Sequence, residues 1–429
     1  MNIQKLHQLF LDSNGVCTDT RKISEGAIFF ALKGDNFNGN KYAKEAIDKG
    51  CKYAVVDQEE FAVGDAFILV KDVLKTLQDL AAFHRNQFDI PVLGITGSNG
   101  KTTTKELIGA VLKKKYKVLV TEGNLNNHIG VPLTLLNLNA SYQFAIIEMG
   151  ANKLLDIKEL VGIAQPTYGI ITNIGSAHLE GFGSLLGVIK TKKELFDYLE
   201  ENDGIIFYNN DDDVLNNILP PHIESIGYGT QKGFVTGELI KLTPFVEFRW
   251  RFKTSYTSPI LRTKLVGKYN FINFLAAVCI GKYFKVDNDK ICNALESYTP
   301  TNNRSQITQT ENNTLIVDCY NANPTSMQSA LESFTAIEHP NKIAVLGDML
   351  ELGAYSKEEH KKVVDYLNKN QIANFLVGEE FNQLTTKNSS TFKTSNELVN
   401  YIKQNPIAQA LVLLKGSRGI QLEKLIEVL

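Results

Sequence analysis

The sequence predicts an α/β protein of several domains, with a mostly parallel sheet and a phosphate-binding loop at its centre. Its 429 residues are too many for one hydrophobic core and suggest about two to four domains. From about residue 89 to 299, apolar segments of strand length alternate with segments of helical periodicity. Within that part, residues 91–106 read PVLGITGSNGKTTTKE, which is typical of a buried strand, a tight glycine turn and a helix start.

The glycine turn is expected to bind a polyphosphate. Its glycines let backbone N–H groups face inward, and the N-terminus of the following helix adds positive potential. Lys101 would neutralise the β- and γ-phosphates, and Thr102 would hold Mg²⁺ through its hydroxyl group. Ile95 stands where the common P-loop has its first glycine, which indicates a variant of that loop. The residues predicted to bind the nucleotide here are Gly97, Ser98, Asn99, Gly100, Lys101, Thr102 and Thr103.

Composition argues against several functional classes. Lys and Arg number 45 against 47 Asp and Glu, so the net charge of -2 implies no nucleic-acid partner. No run of about eighteen apolar residues occurs and the N-terminus lacks a signal-peptide pattern, so we expect a cytoplasmic protein without membrane insertion. The cysteines fit neither a disulfide framework nor a zinc site, and we expect them reduced and mostly buried. They are Cys17, Cys51, Cys279, Cys292 and Cys319.

Residues 1–88 are predicted to form a small α/β unit. Strands are expected at 28–34, 53–57 and 66–70, and helices at 41–50 and 73–88. The stretch TDTRKISEGAIFFALKGDNFNGNKY places hydroxyl, amide and basic groups around the strand ends. Such loops hold a small polar ligand or show ordinary turn chemistry, and the pattern alone leaves both interpretations open.

In residues 89–299, the predicted parallel strands VLGIT, KVLVT, FAIIEMG, YGIITNIG and GIIFYNN end in polar residues. Ligands of such sheets bind beyond the carboxyl ends of the strands. Glu148 ends the third strand, where an acid would hold Mg²⁺ or simply face solvent. His178 follows the fourth strand, and an ordinary solvated histidine is the alternative there. Between residues 234 and 266, alternating segments such as FVEFRWRF predict an antiparallel insertion.

Lys192 lies on the apolar face of a predicted helix at 184–200. Successive residues of a helix turn by about 100°, which centres Lys192 on that face. The other residues of the face are Leu185, Ile189, Phe196 and Leu199. An amine in this position reaches out to solvent, loses its proton, or carries a modification such as a carbamate formed with CO₂. From the pattern alone, reaching out to solvent is the ordinary expectation.

The remaining sequence predicts one long helix and a third α/β unit. The helix, at 267–284, carries Asn270 and Asn273 near its start, where amides meet an adenine edge or cap the helix. The unit at about 300–429 has strands TLIVDCY, KIAVLGDM, FLVGEE and ALVLLKGS, again with polar residues at their ends. Repeats and low-complexity segments are absent from the sequence, which favours a compact three-domain enzyme.

Taken together, these motifs resemble those of the Mur ligase family over nearly the whole chain. The motifs are TDTRKISEGAIFFALKGDNF, GITGSNGKTTTKE, GNLNNHIGVPLTLLNL, EMGANKLLDI, TNIGSAHLEGFGS, GKYNFINFLAA, DCYNANPTSMQSAL, VLGDMLELG and LLKGSRG. The resemblance implies the three-domain Mur ligase architecture. A UDP-substrate domain would occupy residues 1–88, the central ATP-binding P-loop domain 89–299, and a Rossmann-like C-terminal domain 300–429.

GNLNNHIGVPLTLL, DCYNANPTSMQSAL and VLGDMLELG resemble the dipeptide-adding members of the family. That resemblance implies ATP-dependent, ADP-forming addition of D-alanyl-D-alanine to UDP-N-acetylmuramoyl-tripeptide through an acyl phosphate, in peptidoglycan precursor synthesis. It also implies a cytoplasmic enzyme, which we expect to be a monomer. Alternatives are another amide ligase of the superfamily, of the folylpolyglutamate or diaminopimelate-adding type, and a P-loop switch that hydrolyses ATP without forming an amide.

The resemblance also assigns roles to single residues. Lys101, Glu148, His178 and Lys192 would be catalytic, and Thr102, Glu148, His178 and Lys192 would serve Mg²⁺, with Lys192 matching a carbamylated lysine. Nucleotide contacts outside the loop would come from Asn273, Arg304 and Asp318. Substrate contacts would come from Thr20 and Arg21 near the uridine diphosphate and from Asn126, Asn127, Asn321, Lys415, Ser417 and Arg418.

Overall fold

A computed structural model describes residues 2–300, 303–384 and 389–429. Within them the chain forms three successive sheets of four, ten and six strands, each flanked by helices, and one two-stranded hairpin. The α/β class predicted from the sequence is therefore confirmed. Among the described residues, no helix is both long and apolar enough to cross a membrane.

The first region has a four-stranded parallel sheet in the order β1-β2-β5-β6. Its elements are α1 Ile3–Leu11, β1 Val16–Cys17, β2 Ile28–Phe30, β3 Lys33–Gly34, β4 Phe37–Asn38, α2 Ala43–Asp48, β5 Tyr53–Val56, β6 Phe67–Leu69 and α3 Val73–Arg85, with 3-10 turns at Gly39–Tyr42 and Glu59–Phe61. The single strand predicted at 28–34 is wrong. Gly39 N donates to Leu32 O at 2.8 Å, which turns the chain back into a separate β3–β4 hairpin.

The central region has a ten-stranded sheet whose main path runs β15-β14-β13-β12-β11-β10-β7-β9-β8. Its strands are β7 Val92–Thr96, β8 Val118–Val120, β9 Phe144–Glu148, β10 Tyr168–Ile171, β11 Ile205–Asn209, β12 Glu224–Gly229, β13 Val235–Lys241, β14 Glu247–Phe252, β15 Tyr256–Thr257 and β16 Leu261–Arg262. Its helices are α4 Lys101–Leu112, α5 Gly130–Leu135, α6 Asp156–Ala164, α7 Leu179–Phe182, α8 Leu185–Glu201, α9 Asp213–Ile218, α10 Tyr269–Tyr283 and α11 Asn288–Ser297.

The position of β7 explains where the site forms. It pairs in parallel with β9 on one side and β10 on the other, and all of its residues are buried. A strand covered on both faces is expected to be a nearly continuous apolar run, as residues 92–95 are, and the one hydroxyl, that of Thr96, donates to Met149 O at 2.8 Å. The carboxyl ends of β7, β9 and β10 are therefore adjacent at one edge. The antiparallel segment predicted after residue 234 is also confirmed, and it extends the same sheet through β13 to β16.

The third region has a six-stranded sheet in the order β17-β18-β22-β19-β20-β21. Its elements are β17 Gln306–Gln309, β18 Thr314–Asp318, α12 Pro324–Thr335, β19 Lys342–Gly347, α13 Ser356–Lys369, β20 Ala373–Val377, α14 Glu379–Asn382, β21 Ser390–Phe392, α15 Ser395–Gln404 and β22 Leu411–Lys415, with 3-10 turns at Gly353–Tyr355, Arg418–Ile420 and Leu422–Leu425. The edge strands β17 and β21 were not predicted, because QITQ and STF are short and lack an apolar run.

The first and central regions share a hydrophobic core. Leu77 and Leu80 of α3 belong to the same buried cluster as Val131 and Leu135 of α5. The boundary at residue 88 therefore separates two sheets that share packing, and it remains a prediction, as does the boundary at 299. All five cysteines are free and buried, as expected from their spacing.

Candidate active site

A cavity of about 470 Å³ lies between the carboxyl edge of the central sheet and the third region. Many of the predicted site residues line it, from both regions. They are Ser98, Asn99, Gly100, Lys101, Thr102, Thr103, Asn126, Glu148, His178, Asn273, Arg304, Asp318, Asn321 and Lys415. This juxtaposition depends on sheets that lie far apart in the sequence.

The phosphate loop after β7 needs its glycines. Gly97 has φ 144°, and a Cβ atom there would lie 2.0 Å from the hydroxyl oxygen of Thr172. Gly100 has φ 77°, and a Cβ there would lie 3.0 Å from the amide oxygen of Asn273. Both conformations are costly for other residues. The loop therefore packs closely against β10 on one side and α10 on the other.

Polar groups after β10 fix the shape of this loop. Asn99 N donates to the Asn173 side chain at 3.1 Å, and Asn173 Nδ2 donates back to Asn99 O at 2.8 Å. The Ser98 hydroxyl donates to Gly175 O at 2.9 Å. The loop backbone is thus held in place by the central sheet itself, before any ligand binds.

Lys101 begins α4 and folds over the loop. Its Nζ donates to Gly97 O at 2.6 Å. Burial lowers the pKa of Lys101 to about 8, with the charge of Glu148 opposing this shift and Arg304 adding to it. The residue is partly exposed at the cavity wall. An anionic ligand at this position would favour the charged ammonium.

Glu148 lies at the end of β9 and is only 1% exposed. Its Oε1 accepts hydrogen bonds from the Thr102 hydroxyl at 3.1 Å and from Asn126 Nδ2 at 2.8 Å. Its Oε2 lies 3.4 Å from Nζ of Lys105, which is also buried. Sequence reasoning missed Lys105. It lies one helical turn after Lys101 and three residues after Thr102, a spacing that could have placed it on the same face.

The contact between Thr102 and Glu148 fits a magnesium ion bound together with phosphates. Hydroxyl and carboxylate oxygens are the ligands that Mg²⁺ prefers, and Mg²⁺ usually completes its shell with water and substrate oxygens. In the described part of the chain, no cluster of three or more His, Cys, Asp and Glu side chains could hold a metal by itself. The residues therefore fit an ion that is bound jointly by the protein and the nucleotide phosphates better than an ion bound by protein side chains alone.

The other two residues expected at the metal lie in different settings. His178 lines the same cavity, but its Nδ1 lies 2.5 Å from Oε2 of Glu351 in the third region. The pKa of Glu351 is lowered because of this contact with His178. Lys192 does not belong to the cavity lining, and its Nζ lies 5.7 Å from the centre of the Phe182 ring.

Lys192 is buried inside α8, with 2% of its surface exposed. The expectation that it reaches out to solvent is wrong. Burial lowers the pKa of Lys192 well below its usual range, and the nearby charge of Lys101 lowers it further. Leu185, the first residue of α8, was predicted to share its face but is 45% exposed. The buried face consists of Gly187, Val188, Thr191, Lys192, Leu195, Phe196 and Leu199.

The sequence left open whether the two asparagines near the start of α10 cap the helix or meet a ligand. Asn270 Nδ2 donates to Val266 O at 2.7 Å, so this amide stabilises the helix start. Asn273 donates to Asn270 Oδ1 at 2.9 Å and lies against Gly100. Both asparagines line the cavity, and the Asn273 amide lies directly against Gly100 of the phosphate loop.

The wall from the third region carries an ion pair. Lys415 Nζ lies 2.6 Å from Oδ2 of Asp318, although the family resemblance implied substrate contact for Lys415 and nucleotide contact for Asp318. The guanidinium group of Arg304 stacks 3.9 Å from the centre of the Tyr320 ring, and that of Arg418 lies 5.7 Å from the same ring. Tyr320, which sequence reasoning missed, therefore contacts two cations.

The remaining predicted residues lie outside the cavity lining or make local contacts. In the first region, exposed Arg21 pairs with Asp19 at 2.7 Å, and the Thr20 carbonyl accepts from Lys49. The Asn127 side chain accepts from the N–H groups of Ile129 and Gly130 and so stabilises the start of α5. Asn321 accepts from Ala322 N, buried Ser417 accepts from Leu350 N, and Arg418 is exposed. These contacts are ordinary turn and cap chemistry.

Three family models match the chain in sequence order. The Mur ligase family, catalytic domain, matches residues 12–85; the Mur ligase middle domain matches 95–281; and the Mur ligase, glutamate ligase domain, matches 303–418. A relative from Bacillus subtilis (strain 168), named UDP-N-acetylmuramoyl-tripeptide--D-alanyl-D-alanine ligase, is 33% identical, covering 96% of this chain and 92% of its own. A relative of the same name from Escherichia coli (strain K12) is 34% identical, and the match covers 97% of this chain and 93% of the relative.

Solved structures agree with these matches. A crystal structure of MurF from Acinetobacter baumannii has a TM-score of 0.88 and 30% identity, covering 99% of this chain and 98% of its own. MurF ligase from Thermotoga maritima in complex with ADP has a TM-score of 0.85 and 26% identity, covering 97% of each chain. Since the matches span all three sheets and the cavity between them, this chain belongs to the Mur ligase family.

Proposed function

We propose that this protein is an ATP-dependent, ADP-forming ligase that adds D-alanyl-D-alanine to UDP-N-acetylmuramoyl-tripeptide in peptidoglycan precursor synthesis. One observation carries the proposal: a phosphate loop with a buried hydroxyl–carboxylate pair faces cationic side chains of the third region across one cavity. A ligase needs this arrangement, because it must hold a nucleotide and two further substrates against each other. The names of the full-length relatives support the same substrates.

The central wall would bind the nucleotide. Lys101 and the N–H groups at the start of α4 would hold the β- and γ-phosphates. Thr102 and Glu148 would hold Mg²⁺, which when bound neutralises phosphate charge and withdraws electrons from the γ-phosphorus. Asn273 and Arg304 would complete the nucleotide side of the cavity, where both are lining residues.

The reaction would proceed in two steps. The terminal carboxylate of the tripeptide bonds to the γ-phosphorus as ADP leaves, and the dipeptide amine then attacks the acyl carbon, loses a proton and displaces phosphate. Negative charge develops first on the phosphoryl group and then on the tetrahedral oxygen. Lys101 on one wall and Arg304 on the other, both lining residues of the cavity, would stabilise that charge.

Lys192 would carry a carbamate. Its burial and lowered pKa favour the neutral amine, which is the form that reacts with CO₂. The resulting anion would offset the nearby charge of Lys101. ¹³C NMR of the protein in ¹³C-bicarbonate should give a carbamate resonance that is absent from Lys192→Met. A wild-type spectrum equal to that of Lys192→Met would leave Lys192 as an unmodified amine beside Phe182.

The first region would bind the uridine diphosphate end of the substrate through the loop containing Thr20 and Arg21. Binding of the dipeptide near Asn321 and Lys415, a cytoplasmic location and a monomeric state remain predictions. Arg21→Ala should raise KM for the UDP-linked substrate while leaving KM for ATP unchanged. Glu60→Ala, at another exposed position of the same region, is the matched control.

The function is tested by ADP release from the purified protein with ATP, Mg²⁺ and UDP-N-acetylmuramoyl-tripeptide, with and without D-alanyl-D-alanine. Turnover that requires the dipeptide is the expected result. Comparing tripeptides that end in lysine and in diaminopimelate identifies the natural substrate. ATP hydrolysis that is indifferent to both peptide substrates would instead indicate a P-loop switch.

A further inference from the structure

The contact between His178 and Glu351 joins the central region to the third region. Nδ1 of His178 lies 2.5 Å from Oε2 of Glu351. Beside it, Glu180 N donates to Glu351 O at 3.3 Å, and a Cβ atom at Gly353 would lie 3.4 Å from Cβ of Glu180. Side-chain and backbone contacts thus dock residues 348–353, here called the Glu351 turn, against the segment that carries His178.

The Glu351 turn is held firmly by its own region. Asp348 is 2% exposed, and its carboxylate accepts hydrogen bonds from Glu380 N at 2.9 Å and Phe381 N at 3.0 Å. Leu350 N donates to the hydroxyl of Ser417, also 2% exposed, at 3.0 Å. These buried hydrogen bonds tie the base of the turn to the third region. The contact with His178 therefore depends on how the third region docks against the central region.

Both partners have a left-handed backbone conformation. His178 has φ 51° and Glu351 has φ 67°. Residues other than glycine rarely adopt this conformation, and they keep it where surrounding contacts dictate it, often at functional sites. His178 also lines the cavity that contains the phosphate loop. The unusual backbone therefore occurs on both sides of one contact at the edge of the site.

We propose that Glu351 is a positioning residue that orients the imidazole of His178 when the third region docks. Glu351 occupies Nδ1, so Nε2 is the ring nitrogen left for a group in the cavity. A carboxylate behind a histidine fixes both the tautomer and the ring orientation of imidazoles that bind ligands or metals. Because Glu351 comes from the region proposed to bind the dipeptide, docking of that region completes the central site.

A double-variant cycle on ADP release tests this coupling, and this assay rests on the proposed function. Glu351→Ala should lower kcat by about 10- to 100-fold, as for other residues behind a functional histidine, with KM for ATP little changed. Glu351→Gln should retain part of the rate, because its amide oxygen still accepts from Nδ1–H. The combined Glu351→Ala, His178→Ala variant should be no slower than His178→Ala alone.

Glu358→Ala is the matched control. Glu358 belongs to the same region, is 68% exposed and pairs with Lys362 on the surface. It should retain the wild-type rate. If losses in the double variant multiply, or if Glu351→Ala behaves like Glu358→Ala, Glu351 does not act through His178.

A second readout needs no turnover. ¹⁵N NMR of the seven histidines, with His178 assigned by the His178→Ala variant, should show His178 protonated at Nδ1. Glu351→Ala should change that signature, and Glu358→Ala should not. An unchanged His178 signature in Glu351→Ala overturns the positioning role. A wild-type protein without dipeptide-dependent ADP release overturns the proposed function instead, and the NMR comparison still decides the role of Glu351.

Discussion

The two walls of the cavity hold their charged groups in different ways. On the central wall, Glu148 and Lys105 are each 2% exposed in their side chains, and Glu148 also accepts from Thr102 and Asn126. On the third-region wall, Lys415 is equally buried but Asp318 is 16% exposed. Neighbouring side chains therefore enclose the ion pair of the central wall, whereas the ion pair of the third-region wall is partly open to solvent.

This difference indicates that the two walls have different roles. The phosphate loop is shaped by β7 and β10 before substrates arrive, which favours electrostatic stabilisation without reorganisation. The third region contacts the loop through Asn323, whose amide donates to Asn99 Oδ1 at 2.7 Å, and contacts the segment after β10 through Thr325, which accepts from Ser176 N at 3.1 Å. Polar contacts of this kind at the edge of the cavity are consistent with a wall that docks and releases.

The largest effect is expected for Lys101→Ala on the central wall. Loss of the cation over the phosphate loop should reduce ADP formation by about 100- to 1,000-fold. This is the usual cost of removing one preorganised electrostatic group. Single-turnover assays measure it. Lys153→Ala, at an exposed position outside the cavity lining, should retain activity. Near-normal turnover of Lys101→Ala would contradict a preorganised central wall.

The comparison of the two ion pairs concerns stability rather than rate. Lys105→Met should destabilise the protein by about 3–5 kcal/mol, because it leaves the charge of buried Glu148 without its partner. Lys415→Met should cost less, since Asp318 is partly solvated. Urea unfolding measures both. Exposed Lys113→Met should change stability by less than about 0.5 kcal/mol. Equal losses for Lys105→Met and Lys415→Met would remove the distinction between the walls.

Substitutions of Asn323 test the contact between the two walls separately from the stability of the fold. Its side chain accepts from Ser326 N at 2.9 Å, which caps α12, and donates to Asn99. Asn323→Ala should cost about 1 kcal/mol of stability through the lost cap. Asn323→Asp keeps the cap but not the donor, so it should preserve stability while lowering kcat/KM for ATP. Equal stability loss in both variants would mean that the cap is not the stabilising contact.

The smallest effect is expected at the interface between the first and central regions. His7 Nε2 lies 2.9 Å from His84 Nδ1, and His84 Nε2 lies 2.9 Å from Leu138 O. Burial lowers the pKa of both histidines. The unfolded chain therefore binds more protons, so this stability is present above about pH 6.5 and is lost as pH falls through 6.5 and below.

Thermal unfolding midpoints between pH 8 and pH 5 measure this dependence. His7→Gln should flatten the decline below pH 6.5. Exposed His222→Gln is the control and should leave the decline unchanged. A His7→Gln profile identical to that of the wild type would show that the histidine pair does not titrate with folding.

Much of the central site was predictable because it is local in sequence. The run from Val92 to Thr102 specifies a buried strand, a glycine turn and a helix start within a few residues. The spacing of Lys105 from Lys101 and Thr102 places it on the same helical face, but spacing alone does not show that it forms a buried ion pair with Glu148. The broken strand after Phe30 and the edge strands β17 and β21 were missed because hydrogen bonds, not apolar periodicity, define them.

By itself, the sequence determined the α/β class, the mostly parallel character of the central sheet and the phosphate loop. Each follows from hydrophobic periodicity and glycine placement over short segments. Only the tertiary structure decided that Lys192 stays inside, that Asp318 pairs with Lys415 and that Glu351 meets His178. The physical reason is that burial and charge pairing depend on which distant segments the sheets bring together, and short-range patterns carry no information about that.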